Sequence, residues 1–324
     1  MSIDVLAPGL LTTVQACGRE GFRHLGVGFG GALDPGAQAI ANLLAGNAVS
    51  AATLEIALAG PTLRFAHATR IALCGAVFDA DIDGEPLPGW RRVDLPANSV
   101  LRIGGCRTGA RAWLAVSGGV RVPELLGSAS TDLRGGFGGV EGRALRAGDR
   151  LQVEPFSQPA ERVRIAPWSI DPQALDADPR LPIRVLPGSD ATEPGDGLFA
   201  NAWSVAPASD RQGVRLAGTP VALRDARDYI SEPIVPGTVQ LPPDGSPIVL
   251  LADAQTHGGY PRIGHVIRAD RGRLAQLRAG DTVRFAPCTP AAARDASRER
   301  AHALARIALS IAARGGVAPP TPSA

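Results

Sequence analysis

Leu145-Arg146-Ala147-Gly148-Asp149 runs directly into Arg150-Leu151-Gln152-Val153, and Leu277-Arg278-Ala279-Gly280-Asp281 runs in the same way into Thr282-Val283-Arg284-Phe285. In both places a glycine-centred turn feeds a short stretch whose apolar residues alternate with polar ones, the pattern of a half-buried strand. A turn-to-strand unit recurring near the end of each half predicts two related β-barrels. A turn solution reached twice without shared ancestry produces the same five residues.

Outward from the first copy, residues 1–157 read as an N-terminal β-barrel domain. Its clearest strands are Thr62-Leu63-Arg64-Phe65, Ile71-Ala72-Leu73, Ser99-Val100-Leu101-Arg102-Ile103 and Arg111-Ala112-Trp113-Leu114-Ala115-Val116, each ended by Gly or Pro. One helix interrupts them: Asp34 suits the N-cap, Pro35 the first helical position, Ile40, Leu43 and Leu44 repeat at helical spacing, and Gly46 stops it. Residues 158–181, rich in Pro, Ala and Asp without a sustained period, read as a linker. A second β-barrel domain follows over 182–288, with strands at 183–186, 247–251 and 282–285. Residues 289–324 read as a helix capped by Thr289, opened by Pro290, striped by Leu304, Ile307, Ala308 and Ile311 and closed by Gly315, then a Pro-rich disordered tail.

Composition agrees with a turn-rich β protein and removes several chemistries. The chain has 324 residues, of which 39 are Gly and 28 Pro, and 45% are hydrophobic. Its 33 basic residues are all arginine, because no lysine occurs. A P-loop lysine, a Schiff base and a biotinyl- or lipoyl-lysine are therefore absent from this chain. With 31 acids interspersed among the arginines and a net charge of +2, the profile is not that of a nucleic-acid binder. Cys17, Cys74, Cys106 and Cys288 are widely spaced with no CxxC pair, so buried or inert thiols of a reduced compartment are expected. The start Met1-Ser2-Ile3-Asp4 lacks a signal-like apolar run, which predicts a soluble cytoplasmic protein with no membrane contact.

Gly26-Val27-Gly28-Phe29-Gly30-Gly31 satisfies GxGxxG, with Glu55 where a ribose-binding acid is sought. No buried strand precedes it, and the helix starts later at its own Asp34-Pro35 signal, so a backbone turn making a close approach is expected instead. Gly135-Gly136-Phe137-Gly138-Gly139-Val140-Glu141-Gly142-Arg143 reads either as an anion nest of successive N–H groups, Gly138 among them, with Arg143 or Arg134 adding a fixed charge, or as a flexible surface hairpin. Hydroxyls at Ser117, Ser128, Ser130 and Thr131 flank it, but without a GxSxG elbow a nucleophilic serine is not expected.

In the second half, Leu250-Leu251-Ala252-Asp253-Ala254-Gln255-Thr256-His257-Gly258-Gly259-Tyr260-Pro261 moves from an apolar strand into polar side chains and glycines. Asp253, Gln255, Thr256, His257 and Tyr260 either converge on a ligand or satisfy a hairpin. Asp253 and His257 are the candidate bases, since arginine stays protonated. His257 and His265 lack a third ligand nearby, and no metal is expected. Arg211 and Arg215, four apart around Gly213, are either solvated or grip an anion through the guanidinium fork.

The ordered set of motifs resembles the carboxyltransferase-domain family to which the C subunit of 5-oxoprolinase belongs. The residues that carry the resemblance are Thr12-Thr13-Val14-Gln15, Gly18-Arg19, Gly31-Ala32-Leu33-Asp34, Ala41-Asn42-Leu43-Leu44-Ala45-Gly46-Asn47, Leu54-Glu55-Ile56, Gly127-Ser128, Ser130-Thr131 and Gly142-Arg143. Ser209-Asp210-Arg211, Ser231-Glu232, the run from Pro236 to Gly245 that includes Gln240, and Gln255-Thr256-His257-Gly258-Gly259-Tyr260-Pro261 continue it. The resemblance implies a mainly β fold of two cyclophilin-like β-barrels with few short helices and a C-terminal helix. It also implies a B-like carboxyltransferase partner and, in 5-oxoprolinase, a further A-like partner that takes part in the ATP-dependent step, the complex opening the 5-oxoproline lactam to glutamate.

On that reading Asp253, Gln255, Tyr260 and His257 are the candidate catalytic residues. Gln15, Arg19, Asp34, Gly138, Arg143, Arg211, Arg215, Gln240 and Thr256 are candidates for binding a small anionic substrate. The chain alone binds no cofactor, and ATP is used by the complex. Two alternatives within the family are a carboxyltransferase subunit of a urea carboxylase-like enzyme, with biotin on another protein, and a regulator that binds a B-like kinase inhibitor. Three positions depart from the family pattern: Ala16 replaces an acid, Ala129 an arginine and His257 a threonine.

Overall fold

The two Leu-Arg-Ala-Gly-Asp stretches fold alike in the computed structural model. Asp149 N–H donates to Arg146 O at 3.1 Å, the Asp149 carboxylate accepts from Arg146 N–H at 2.7 Å, and Gly148 adopts φ +91°. Asp281 N–H donates to Arg278 O at 3.0 Å, its carboxylate accepts from Arg278 N–H at 2.8 Å, and Gly280 adopts φ +89°. The left-handed backbone explains the glycine and the short acceptor side chain explains the aspartate. Each turn also docks in the same way on a strand: Gly148 N–H on Val5 O at 2.8 Å, and Gly280 N–H on Val205 O at 2.8 Å. One local solution thus closes a sheet in each half.

The structure describes residues 1–156, 160–175, 180–192, 196–223 and 229–315. Among them the fold is mainly β, with an eleven-stranded sheet, an eight-stranded sheet, a two-stranded ribbon and few helices. The chain divides into two compact units, one of Met1–Gly18, Asp34–Leu175 and the helix end from His302, the other of Arg19–Leu33 and Asp176–Ala301. The segment Arg19–Leu33, read from the sequence with the first half, is therefore part of the second unit. The first unit's long segment runs to Leu175, so the division falls within the stretch expected to be linker. The tail expected to be disordered, beyond residue 315, lies outside the described residues.

In the first unit, the strand Ser2–Ala7 runs between Arg150–Val153 and Thr62–Phe65, with Ile3 opposite Leu151 on one side and Phe65 on the other. Ile3, Val5, Leu63, Phe65 and Leu151 are buried, while Arg64 and Arg150 alternate outward. This two-residue period is what the sequence pattern predicts. A second row crosses four strands: Thr13 faces Glu55, Glu55 faces Trp113, and Trp113 faces Cys74. All four are buried, and Trp113 Nε1 donates to Glu55 Oε2 at 3.1 Å. Glu55 thus accepts from a buried indole. Burial pushes the Cys74 thiol well up from its ordinary value, and the negative charge of Asp34 adds to the effect. Cys74 is correspondingly unreactive.

The helix Pro35–Ala45 packs against the strands Thr69–Ile82 and Val100–Val116. Its N-cap is Asp34, whose carboxylate accepts from Gly36 N–H at 3.0 Å and Ala37 N–H at 3.2 Å. Gly46 ends it at φ +85°, its N–H returned to Asn42 and Leu43 carbonyls. Both signals do what they do in isolation. The strands expected at 99–103 and 111–116 are instead one strand, Val100–Val116, joined through Gly104 and Gly105. Its partner Thr69–Ile82 shifts register between Gly75 and Ala80, and a Cβ on Gly104 would lie 3.1 Å from Asp79 O. The glycines mark a bend where two backbones approach, not strand ends.

In the second unit Val185, Val239, Val249 and Val266, on strands Ile183–Pro187, Thr238–Gln240, Ile248–Leu250 and Arg262–Val266, are fully buried. The strand expected over 282–285 divides at Arg284. Thr282–Val283 pairs antiparallel with Trp203–Val205, whereas Phe285–Pro287 pairs parallel with Ile183–Pro187. The C-terminal helix spans Pro290–Gly315, with Thr289 Oγ1 accepting from Ala292 N–H at 3.2 Å and Ile307 and Ile311 buried. Among the described residues no helix is long and apolar enough to cross a membrane.

His265 gives this unit an acid-sensitive contact. Arg271 Nη2 lies 3.1 Å from His265 Nε2, and Gly237 sits so close that a Cβ would lie 3.0 Å from Arg271 Nε and 3.1 Å from His265 Nε2. Burial first, then the Arg271 charge, lowers the His265 pKa to about 4. The neutral imidazole accepts a hydrogen bond from the guanidinium N–H. The folded pKa lies below the free histidine value near 6.5, so the unfolded chain takes up the proton first as the pH falls. Stability is complete above about pH 6.5, declines by up to about 3 kcal/mol toward pH 4 and stays level below it, as far as this group is concerned. Urea midpoints from pH 7 to 4 should show that decline in the wild type and a weaker one in His265→Asn. Parallel curves would remove His265 as the cause.

Candidate functional site

Beyond Ile248–Leu250 the chain of the second unit leaves its sheet and crosses back over Arg211. Leu251 N–H donates to Gln212 O at 2.8 Å and Asp253 N–H to Arg211 O at 3.1 Å. This brings the Asp253 carboxylate against the Arg211 guanidinium in a parallel fork, Nε to Oδ2 at 2.8 Å and Nη2 to Oδ1 at 2.9 Å. Both side chains are buried, at 4% and 5% exposure. Arg211 Nη2 also donates to Gly31 O at 2.7 Å, and Gly30 N–H donates to Ala252 O at 2.9 Å. The GxGxxG-like stretch is thus a backbone clasp. Gly30 has φ +62°, a Cβ there would lie 3.2 Å from Arg19 Nη1, and Gly28 faces Ala254 O. Arg19 itself is fully buried.

The fork decides what Asp253 and Arg211 can do. A carboxylate held through both oxygens by a buried guanidinium spends one lone pair of each oxygen, and its charge is matched by the arginine. The pair is suited to positioning, and it anchors the loop from which the next residues project.

Those next residues form the two-stranded ribbon His257–Gly258 with Glu232–Pro233. Ile234 N–H donates to the buried Thr256 at its carbonyl, 3.0 Å, and Thr256 Oγ1 lies 3.0 Å from His257 Nδ1. His257 is exposed, and its Nε2 has no partner among the described residues. Gln240 is buried, with Nε2 donating to Tyr260 O at 3.4 Å. A Cβ on Gly258 would lie 2.7 Å from that same Nε2 and 2.9 Å from Ile234 Cδ1, which is why glycine stands there. The Tyr260 side chain is largely open, and Gln255 is half-buried. Gln255, Thr256, His257 and Tyr260 therefore lie on the ribbon strand or in the chain flanking it, just beyond the Asp253 of the fork, and Gln240 reaches Tyr260 O from the strand Thr238–Gln240 of the eight-stranded sheet. Arg215 does not join them: it is exposed between buried Val214 and Leu216 on Gly213–Ala217.

Glu232, Arg262 and Arg23 also belong to this neighbourhood without having been singled out from the sequence. Arg262 ion-pairs with Glu232 across the ribbon and lies 3.9 Å from Asp190. The Ser231-Glu232 dipeptide was a signal, but nothing local to Arg262 or Arg23 was.

Gln15, Asp34, Gly138 and Arg143 lie in the first unit. Gln15 Nε2 donates to Thr13 Oγ1 and Thr131 O at 3.1 and 3.2 Å, and its backbone carbonyl accepts from Gln38 Nε2 at 2.8 Å. Asp34 is the helix cap already described. Ser128, Ser130 and Thr131 bond the backbone of Val14, Ala16 and Cys17, so the flanking hydroxyls tie the chain. Ala16 and Ala129, two of the departures from the family pattern, are buried in the hydrophobic core.

The glycine-rich loop is closed on itself. Gly135 N–H goes to Asp132 Oδ1 at 2.8 Å, Gly136 N–H to Asp132 O at 2.9 Å and Gly142 N–H to Gly138 O at 2.7 Å. Arg143 spends its guanidinium on Asp149, at 2.8 and 2.9 Å, and on Glu141 at 3.0 Å. The hydrogen bond from Arg143 holds the Asp149 carboxyl below its ordinary value, and Asp149 pushes Arg143 up. What needs glycine is close packing: a Cβ on Gly139 would lie 2.0 Å from Thr131 Oγ1, and one on Gly142 2.0 Å from Gly136 C. Gly142 also has φ +69°. Gly142→Ala is expected to lower stability by about 2–4 kcal/mol, from backbone overlap plus left-handed strain, read as a fall in the urea midpoint. A midpoint like the wild type's would contradict the packing.

A family model described as carboxyltransferase domain, subdomain A and B, matches residues 25–287. The C subunit of 5-oxoprolinase from Escherichia coli (strain K12) is 39% identical over 295 residues, covering 89% of this chain and 91% of that one. The corresponding C subunit from Haemophilus influenzae is 37% identical over 287 residues, covering 87% and 90%. The crystal structure of the K. lactis urea amidolyase matches with a TM-score of 0.85 at 27% identity, over 94% of this chain and 20% of that one. This chain thus spans a fifth of the length of that enzyme.

Proposed function

The chain belongs to the family of carboxyltransferase domains, subdomains A and B, and from that membership we propose that it is the C subunit of an ATP-dependent 5-oxoprolinase. The observation that carries the reading is the end-to-end likeness to the C subunit of the E. coli enzyme, 91% of which is covered, against 20% of the K. lactis urea amidolyase. Its partners are an A-like and a B-like protein. A lysine-free chain fits that division, since ATP is handled elsewhere in the complex.

The site of the second unit suits the opening of a small cyclic amide. A lactam carbonyl is a weak electrophile and needs activation, which the ATP-dependent step of the complex supplies. Water then adds to the activated carbon, the ring carbon–nitrogen bond breaks and the freed nitrogen takes up a proton. His257 is the ionisable group presented to move that proton, with Nδ1 set by Thr256 Oγ1 and Nε2 open. Gln255 and Tyr260 orient the amide or the water, and the Arg211–Asp253 fork keeps their loop in place.

The test is reconstitution with the A-like and B-like partners, following glutamate released from 5-oxoproline. Release that requires ATP and stops when this chain is omitted is the expected result. Full release by the partners alone would overturn the assignment. A second reading, a urea carboxylase-like carboxyltransferase, draws on the likeness to the K. lactis enzyme. It requires a biotinylated carrier in the same assay.

A further inference from the structure

Several arginines of the described structure are matched by acids: Arg211 by Asp253, Arg70 by Asp94, Arg184 by Asp270 and Arg143 by Asp149. Arg271, set against His265, and the half-buried Arg23 are not. Arg23 opens the helical turn Arg23–Leu25 in the segment that belongs to the second unit. Its Nη2 donates to Ile234 O and, at 3.4 Å, to Gln255 O. Its Nη1 is shut off from solvent and has no hydrogen-bond partner among the described residues. No carboxylate among the described residues lies within ion-pair distance of it.

The two carbonyls fix the orientation of the guanidinium. One belongs to Ile234, beside the ribbon strand Glu232–Pro233, and the other to Gln255, two residues before His257. Arg23 is thereby seated at the base of the ribbon that carries the candidate catalytic side chains. Carbonyl oxygens satisfy N–H groups but do not neutralise a charge taken out of water. Burial accordingly lowers the Arg23 pKa, and no opposing charge is among the causes. An anion with two acceptor oxygens would supply both an acceptor for Nη1 and the opposing charge, and is the group that a guanidinium fork fits.

We propose that Arg23 is the carboxylate-recognising residue of the second unit, and that it selects a small amide bearing a carboxylate over a neutral amide. The inference rests on the 5-oxoprolinase reading for the identity of the ligand, and on Arg23 alone for its charge. A neutral amide such as urea offers Nη1 a carbonyl acceptor but no opposing charge. A cyclic amide acid supplies both and hangs its ring over the Gln255-to-Tyr260 ribbon.

The test is equilibrium binding to the reconstituted complex without ATP, using 5-oxoproline, 2-pyrrolidinone (the same ring without the carboxylate) and acetate. Wild type is expected to bind 5-oxoproline at least about 10-fold more tightly than 2-pyrrolidinone, as a charge-assisted fork predicts. Arg23→Met should remove that preference by weakening 5-oxoproline alone, and Arg23→Lys should restore part of it. Equal weakening of both ring ligands, no weakening, or no carboxylate binding by the wild type would each overturn the proposal. The parent reading fails separately. Acetate held in an Arg23-dependent way by a complex that releases no glutamate leaves Arg23 standing and removes 5-oxoproline. Glutamate release with an unchanged KM in Arg23→Met does the reverse.

Discussion

Replacing His257 by glutamine is expected to lower kcat of the reconstituted complex by about 10²- to 10⁴-fold, the range that a positioned acid–base group supplies. Glutamine keeps a polar atom near Thr256 Oγ1, 3.0 Å from the imidazole in the native chain, but cannot carry a proton. His257 is exposed, so folding should be unaffected, within about 0.5 kcal/mol in urea denaturation. KM should change little, because the substitution removes a proton path and not a binding contact. Turnover equal to the wild type's would move the proton transfer to another group. A loss confined to KM would make His257 a binding residue.

The second large effect is on stability. Asp253→Ala removes the acid paired with the Arg211 guanidinium, which is buried at 4% exposure and also bonded to Gly31 O. Breaking a buried pair from one side costs about 3–5 kcal/mol, because the remaining charge is uncompensated. Replacing both members, as in Arg211→Met with Asp253→Leu, should recover most of that loss, since apolar groups of similar volume leave nothing unpaired. Urea unfolding of the two variants separates the cases through the midpoint at constant slope. A single variant within about 1 kcal/mol of the wild type would show that the fork is not the anchor of the 251–256 loop.

Legibility in the sequence followed the range of the interaction. The Leu-Arg-Ala-Gly-Asp turns and the Asp34-Pro35 and Gly46 helix signals act within a few residues, and they specify the same geometry in the chain as in isolation. Gly104 and Gly105 misled for a physical reason: glycine both ends strands and permits close approach, and only the partner strand, with Asp79 O beside Gly104, tells which. The glycines of 135–142 show the same ambiguity. Their density reads equally as free N–H groups or as missing Cβ atoms, and the overlaps at Thr131 and Gly136 give Gly139 and Gly142 the second reason.

The site was legible in type more than in arrangement. Gln255, Thr256, His257 and Tyr260 were visible because polar residues and glycines crowd the end of an apolar strand, whereas Gln240 came only with the family resemblance. That Asp253 meets Arg211, 42 positions away, is a property of the sheet. Arg23 was invisible because its carbonyl partners lie 211 and 232 positions further on. No local pattern separates such an arginine from a solvated one. For the same reason the membership of Arg19–Leu33 in the second unit could not be read from strand spacing.

The central claim is that this chain serves the opening of a lactam and not the carboxylation of an amide. One measurement tests it most directly: the complex of this chain with its A-like and B-like partners is given ATP and either 5-oxoproline, or urea with bicarbonate and a biotinylated carrier, and the products are identified. The account predicts glutamate from 5-oxoproline, with neither carrier nor bicarbonate required, and no carboxylated urea. Carrier-dependent carboxylation of urea, with 5-oxoproline left intact, would contradict it.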